Sequence, residues 1–250
     1  MTFLLIFILW IDRSLFIVYN ENTKKNEVDS LKEKKESLSD RAYAYILKRI
    51  ISFELAPNTP VVEDALCAEL NMSRTPVREA LRRLEAEGFV TKIRNLGSFI
   101  RPYTQEDIRE SCEIRRIFEL YALKSCIKHV KPEEISAIRA QLLALTEQSP
   151  VEAYYASDTA LHNMITKYCV NTKIHEILKS LDVQMDAMQK ISAQTPKRLL
   201  RSREEHLEIL GAIEEVDLRK ASALLEQHLE NVEQSSLRAY QRLRVEKLGV

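Results

Sequence analysis

"SRTPVREALRRLEAEGFV", residues 73 to 90, places four arginines on a segment whose apolar residues recur at helical spacing. At 100° per residue, Val77, Ala80, Leu81 and Leu84 share one arc of about 100°, while Arg74, Arg78 and Arg82 stack at i, i+4 and i+8 on a different face. The apolar arc predicts docking against neighbouring helices, leaving the arginine face for a partner. The whole chain is neutral, with 37 Lys/Arg against 37 Asp/Glu. Yet Ser73 to Arg101 holds seven basic and three acidic residues, +4, whereas Thr104 to Val250 holds 21 and 23, or −2. A basic surplus confined to one short stretch implies a nucleic-acid contact surface attached to a domain with another task.

The segments around this helix read as a small domain over residues 37–103. Upstream, "SDRAYAYILKRIISFEL" has a Ser/Asp start signal, then Ala42, Tyr43, Ile46, Leu47, Ile50 and Ile51 at helical spacing, and stops before Pro57. "VEDALCAEL" predicts a short second helix with Ala65, Leu66 and Leu70 inward and a turn at Asn71. Ser73 then caps the third helix, with Pro76 tolerated in its first turn. After Gly88 the period changes: "FVTKI" and "GSFIRP" are β-prone runs joined by "RNLG", a hairpin with Arg94, Asn95 and Gly97 at its tip. Three helices and a basic-tipped hairpin make a winged helix-turn-helix. Such a unit lays its second motif helix in the DNA major groove, so Ser73, Arg74, Thr75 and Arg78 are the expected groove contacts and Arg94 and Gly97 the wing contacts. Arginine suits the task because its fork grips guanine bidentately and phosphate equally well. The competing reading is a solvated face paired with Glu79, Glu85 and Glu87.

Four glycines in 250 residues, with Leu, Ala, Glu, Lys and Arg dominant, argue for a mainly α protein. Cys67, Cys112, Cys126 and Cys169 are widely spaced with no CxxC pair, as expected of reduced thiols in a cytoplasmic protein. Residues 1–36 read differently. "FLLIFILWI" is too short and too soon interrupted by Asp12 and Arg13 for a membrane span of about 20 apolar residues, and no basic run precedes it as in a signal peptide. The polar stretch after it reads as a linker. The expectation is an extension outside the fold and no membrane association, with a membrane-tethered regulator as the alternative.

From Thr104 onward, residues 104–250 read as an all-α bundle of six or seven helices, over 104–129, 132–148, 150–169, 171–194, 197–216 and 218–245. Its ionisable residues sit on faces that should be buried. His206 has Ile209, Leu210 and Ile213 at i+3, i+4 and i+7, and His228 has Leu224, Leu225 and Val232 around it. Asp158 and His162 lie at i and i+4, able to reach one point. Unpaired burial of such groups costs several kcal/mol. A divalent metal would satisfy all four; hydrogen bonds within the core are the competing explanation for each histidine. His129 and His175 do not fit the set.

"LNMSRTPVREALRRLEAEGFVTKIRNLGSFI" resembles the DNA-binding domain of GntR-family bacterial regulators, in the subgroup with an all-helical FCD domain, and the likeness runs from Ser39 to about Arg242. Leu96 departs from it, since relatives often carry a basic residue there. The resemblance implies that Asp158, His162, His206 and His228 ligate a metal, as metal-binding FCD domains carry an Asp-x3-His pair and one histidine on each of two later helices. Zinc suits that donor set best, and nickel or manganese would be accepted. It further implies a homodimer on a palindromic operator in double-stranded DNA, repression, and a small carboxylic acid effector. Arg115, in an Arg-x3-Glu pattern, is the candidate to pair that acid; a salt bridge to Glu119 is the alternative. The rival from another class is a metal-dependent hydrolase, which the lack of an HExxH motif disfavours.

Overall fold

The first helix ends earlier than its Pro57 stop signal suggests. In the computed structural model, which describes residues 37–181 and 196–249, α1 spans Leu38–Ile51, and the chain then turns through Phe53 at φ 56° with its ring buried. α2 (Glu63–Leu70) and α3 (Arg74–Ala86) follow, separated by Asn71 in the left-handed region at φ 51°. Ala42, Ile46, Leu47 and Ile50 of α1 close on Val77, Ala80, Leu81 and Leu84 of α3, all buried, as the spacing predicts. Two local expectations are corrected. Only Leu66 of α2 is buried; Ala65 faces solvent and Leu70 is half-buried, because eight residues offer too little length to turn a wide stripe inward. Ser73 does occupy the N-cap position of α3 with extended backbone, but its side chain makes no capping hydrogen bond.

β1 (Val90–Ile93) and β2 (Gly97–Ile100) form the antiparallel wing, in register from Val90 opposite Ile100 to Ile93 opposite Gly97. The tip needs positive φ at Asn95 (65°) and Gly97 (99°), residue types that tolerate it.

The remaining helices are α4 (Gln105–His129), α5 (Pro132–Ala144), α6 (Val151–Lys167), α7 (172–181), α8 (Pro196–Glu214) and α9 (Leu218–Leu248). A reciprocal capping box starts α4: Asp107 N–H donates to Thr104 Oγ1 (3.2 Å), and Thr104 N–H donates to Asp107 Oδ2 (2.7 Å). α5 ends four residues before the expected 148, where Leu145 turns to extended backbone. Residues 1–36 and the 182–194 part of the helix expected over 171–194 lie outside the described residues. Among the described residues no helix is long and apolar enough to cross a membrane, and the four cysteines are free.

Two apolar cores result, and two helices enter both. Ile108 and Cys112 of α4, with Leu237, Tyr240 and Leu243 of α9, join the core beneath the wing; Leu123 and Cys126 of α4, with Leu225 and Leu229 of α9, join the second core with α5, α6 and α8. Tyr240 donates to the Tyr103 carbonyl (2.5 Å) and its ring meets Phe53 at 5.7 Å between centroids. Between the cores, Arg116 of α4 pairs with Glu233 of α9 (3.6 Å). The winged unit is thus bonded to the ends of the helices that run through the bundle.

Leu84 is wholly buried where α3 meets α1. Leu84→Ala removes three carbons from a site with little room to collapse and is expected to cost about 2–5 kcal/mol, read as a lowered urea midpoint.

Candidate functional site

Asp158 and His162 come from α6, His206 from α8 and His228 from α9, and the bundle brings them together: one donor atom from each lies within 4.8 Å of all the others. Three of the edges are tighter. His206 Nε2 lies 3.2 Å from His228 Nε2 and 3.4 Å from Asp158 Oδ1; His162 Nε2 lies 3.7 Å from the same oxygen. A tetrahedral ion with bonds of about 2.0–2.1 Å separates its ligands by about 3.3 Å, so these three edges are close to those of a coordination shell. His162 Nε2 is buried and has no hydrogen-bond partner. An acceptor nitrogen left bare in the core, facing two other imidazoles and a carboxylate, fits a cation at the centre.

Two carboxylates aim the rings. His162 Nδ1–H donates to Glu119 Oε2 (2.6 Å), and His228 Nδ1–H donates to Glu205 Oε2 (2.7 Å). A carboxylate only accepts, so each bond places the proton on Nδ1 and leaves the Nε2 lone pair pointing inward. Glu119 is itself held by Arg115 Nε (2.6 Å); Glu205 is held by Arg198 Nη2 (3.0 Å) and Asn231 Nδ2 (2.8 Å). Burial disfavours the charged form of Glu119, but Arg115 and His162 outweigh it and hold its carboxyl at about 2. Burial likewise opposes ionisation of Asp158, yet His162, His206 and Arg115 keep it well below the usual carboxylate range. Burial pushes His206 down despite Asp158, and pushes His228 down further with help from His206 and His162. Neutral imidazoles and an ionised carboxylate are the forms that bind a metal.

A cleft enclosing about 520 Å³, part of it open to solvent, adjoins the cluster; Asp158, His206, Arg115, Arg198, Ser202 and Arg203 are among its lining residues. Arg115 makes the predicted salt bridge to Glu119 and also reaches Asp158 at 4.0 Å. The salt-bridge alternative is thus present, and the same residue lines the cleft. His129 is exposed on the Ser125 carbonyl, and His175 bonds the Cys169 carbonyl, away from the cluster.

On the winged unit, Ser73, Arg74, Thr75 and Arg78 lie at the exposed N-terminal end of α3, and Arg94 and Gly97 at the exposed wing tip with Leu96. The arginines are not paired with Glu79, Glu85 or Glu87. Arg74 forks onto Asp64 (2.9 and 3.0 Å) and Arg78 Nε donates to Glu63 Oε2 (2.7 Å), both acids belonging to α2. Solvent screens such exposed pairs, so they hold the side chains in place without preventing exchange for phosphate. The sequence does not single out Glu63, Asp64 or Glu205, and it offers Glu119 only as a salt-bridge partner of Arg115. Their helical phase alone does not reveal which distant helix they meet.

The model of bacterial regulatory proteins of the gntR family matches residues 38–100, and the FCD domain model matches 110–231. The chain belongs to the GntR family and carries an FCD domain. The Nta operon transcriptional regulator of Aminobacter aminovorans is 28% identical over 182 residues, covering 72% of this chain and 85% of its own. The HTH-type transcriptional repressor RspR of Escherichia coli is 22% identical over 207 residues, covering 80% and 89%. Among solved structures, Lar, which controls the expression of the Listeria monocytogenes agr system, is 19% identical, with a TM-score of 0.63 over 82% of this chain and 99% of its own; that likeness speaks for the fold. This GntR-family protein is a transcriptional regulator, and its family and relatives are not enzymes, which sets the metal-dependent hydrolase reading aside.

Removing Glu119 takes from the buried Arg115 guanidinium its closest carboxylate and leaves only the longer pairing to Asp158 (4.0 Å), so Glu119→Ala is expected to lower stability by about 3–5 kcal/mol in urea unfolding. The acid limb gives an independent check. Because the Glu119 pKa of about 2 lies below the ordinary 4.5, its contribution is complete above pH 4.5 and is lost as pH falls towards 2. At that displacement the metal-free wild type loses about 3 kcal/mol across this window that Glu119→Gln does not.

Proposed function

We propose that this regulator is a metal-containing repressor whose grip on DNA responds to a small carboxylic acid. The observation that carries the reading is the shell of Asp158, His162, His206 and His228, with inward lone pairs set by Glu119 and Glu205, beside an arginine-lined cleft. Three imidazoles and one carboxylate suit zinc, and nickel or manganese are the other candidates. When bound, the ion supplies a Lewis-acidic centre that favours an anionic oxygen nearby. The chain's own residues do the rest. Arg115 offers a cation at the cleft wall, with Tyr154 and Leu145 also lining it.

In this reading a homodimer presents two copies of α3 to a palindromic operator in double-stranded DNA, with Ser73, Arg74, Thr75 and Arg78 in the major groove and Arg94 and Gly97 of the wing on the backbone or minor groove. Ile117 and Tyr121, large apolar residues about half exposed one turn apart on α4, supply a surface for the second copy. Coupling runs along α4 and α9. α4 carries Arg115 and Glu119 below Ile108 and Cys112, and α9 carries His228 below Leu237 and Tyr240. A differential affinity of about 1–3 kcal/mol between two arrangements of these helices suffices to change operator binding. A cytoplasmic location follows from the role.

Elemental analysis of the purified protein is expected to find one divalent ion per chain in the wild type and none after His206→Ala. On a duplex selected from a random pool, Arg78→Ala is expected to weaken binding by about 1–3 kcal/mol in a mobility-shift titration. Retention of the ion by His206→Ala, or of full affinity by Arg78→Ala, contradicts the corresponding half.

A further inference from the structure

The two arginines at the N-terminal end of α3 are gripped along one edge only. Arg74 donates from Nε and Nη2 to the two oxygens of Asp64 (2.9 and 3.0 Å), and Arg78 donates from Nε to Glu63 (2.7 Å). A guanidinium is a planar fork with a side edge, made by Nε–H and one Nη–H, and an end edge made by both Nη groups. Asp64 fills the side edge of Arg74. Among the described residues no hydrogen bond takes up its Nη1, and the side chain is 62% exposed, so the end edge, which matches O6 and N7 of guanine, stays open. Both acids lie in the first turn of α2, where the helix dipole favours a negative charge. The dipole does not explain why both reach across the turn at Asn71 to these two arginines.

A loose arginine beside DNA gains as much from a phosphate of any sequence as from a base. Asp64 alters that balance. Moving Arg74 to a phosphate exchanges one oxyanion for another and leaves a bare carboxylate near the backbone, which the helix before the recognition helix crosses in such complexes. End-on contact with guanine keeps the Asp64 pair and adds two hydrogen bonds.

We propose that Asp64 is a positioning and specificity residue for DNA reading: it holds the side edge of Arg74 so that the end edge reads a guanine, and it withholds that arginine from phosphates of unrelated sequence. Glu63 restrains Arg78 in the same sense through a single bond. The proposal rests on the groove placement of α3 given above and adds the source of discrimination, a carboxylate that penalises the wrong contact.

The test is fluorescence-anisotropy titration of the full chain, over a series of salt concentrations, with a duplex selected by the wild type from a random pool, its single-base-pair variants and a scrambled duplex of equal length. Arg74→Ala is expected to lose a preference of roughly 5- to 150-fold at one G·C pair of each half-site, the range of a bidentate arginine–guanine contact. Asp64→Asn is expected to lose about fivefold or more of the preference at that same pair. It is also expected to bind the scrambled duplex more tightly, with a log K against log salt slope steeper by about 0.9, the value of one added phosphate contact. In an Arg74→Ala background, Asp64→Asn is expected to change base preference no further. Glu85→Gln removes the same charge near the other end of α3 and is expected to leave the preference at that pair intact, and circular dichroism of each variant checks the fold. Full preference and an unchanged slope in Asp64→Asn overturn the proposal and leave the groove placement standing. A loss of affinity spread evenly over all base pairs shows long-range charge and not positioning, and overturns it as well. If Arg74→Ala loses no base preference, the groove role of Arg74 falls together with the proposal.

Discussion

Three imidazoles and a carboxylate are buried at one point in an otherwise apolar bundle, and the fold has to make that burial tolerable. His228 is completely inaccessible and His206 nearly so, with leucines and isoleucines one turn away on their own helices. The cost is offset by two outer carboxylates, each gripped by arginine and each fixing one ring. Without Glu119 and Glu205 the rings would be free to rotate, and the inward lone pairs would no longer share a focus. The cluster is therefore a property of four helices at once: α4 and α8 supply the braces, and α6, α8 and α9 the inward donors.

The same helices tie the cluster to the DNA-reading unit. α9 is one unbroken helix from Leu218 to Leu248, with His228 in the bundle core and Tyr240 bonded to the Tyr103 carbonyl under the wing. α4 likewise passes from Ile108 and Cys112 to Arg115 and Glu119 within about three turns. A rigid helix does not absorb a displacement along its length. In the proposed coupling, a change in spacing around the cluster reaches the anchorage of α3 and the wing through these two helices.

Much of this was legible in the residues. Helical phase placed Val77, Ala80, Leu81 and Leu84 in the core and Arg74, Arg78 and Arg82 outside it, because periodicity reports which face is apolar. The turn at Asn71 and the wing tip at Asn95 and Gly97 followed from residue types suited to positive φ. The i,i+4 pair of Asp158 and His162, together with two histidines phased with leucines, gave the inner cluster. What stayed hidden depends on tertiary approach. Glu205 lies next to His206, yet it reaches His228 twenty-three residues on, and its spacing points equally well to solvent. Glu63 and Asp64 read as ordinary first-turn acids of α2 until the turn at Asn71 folds them against Arg78 and Arg74. The early end of α1 at Ile51 was missed because Phe53, a large apolar residue, adopts the positive φ that starts the turn.

The central claim is that Asp158, His162, His206 and His228 form one coordination shell. X-ray absorption at the zinc edge of the zinc-loaded protein tests it most directly. The account predicts a single zinc with only nitrogen and oxygen neighbours at about 2.0–2.1 Å and the outer-shell scattering of three imidazole rings. A sulfur neighbour at about 2.3 Å, or a shell without imidazole scattering, would contradict it.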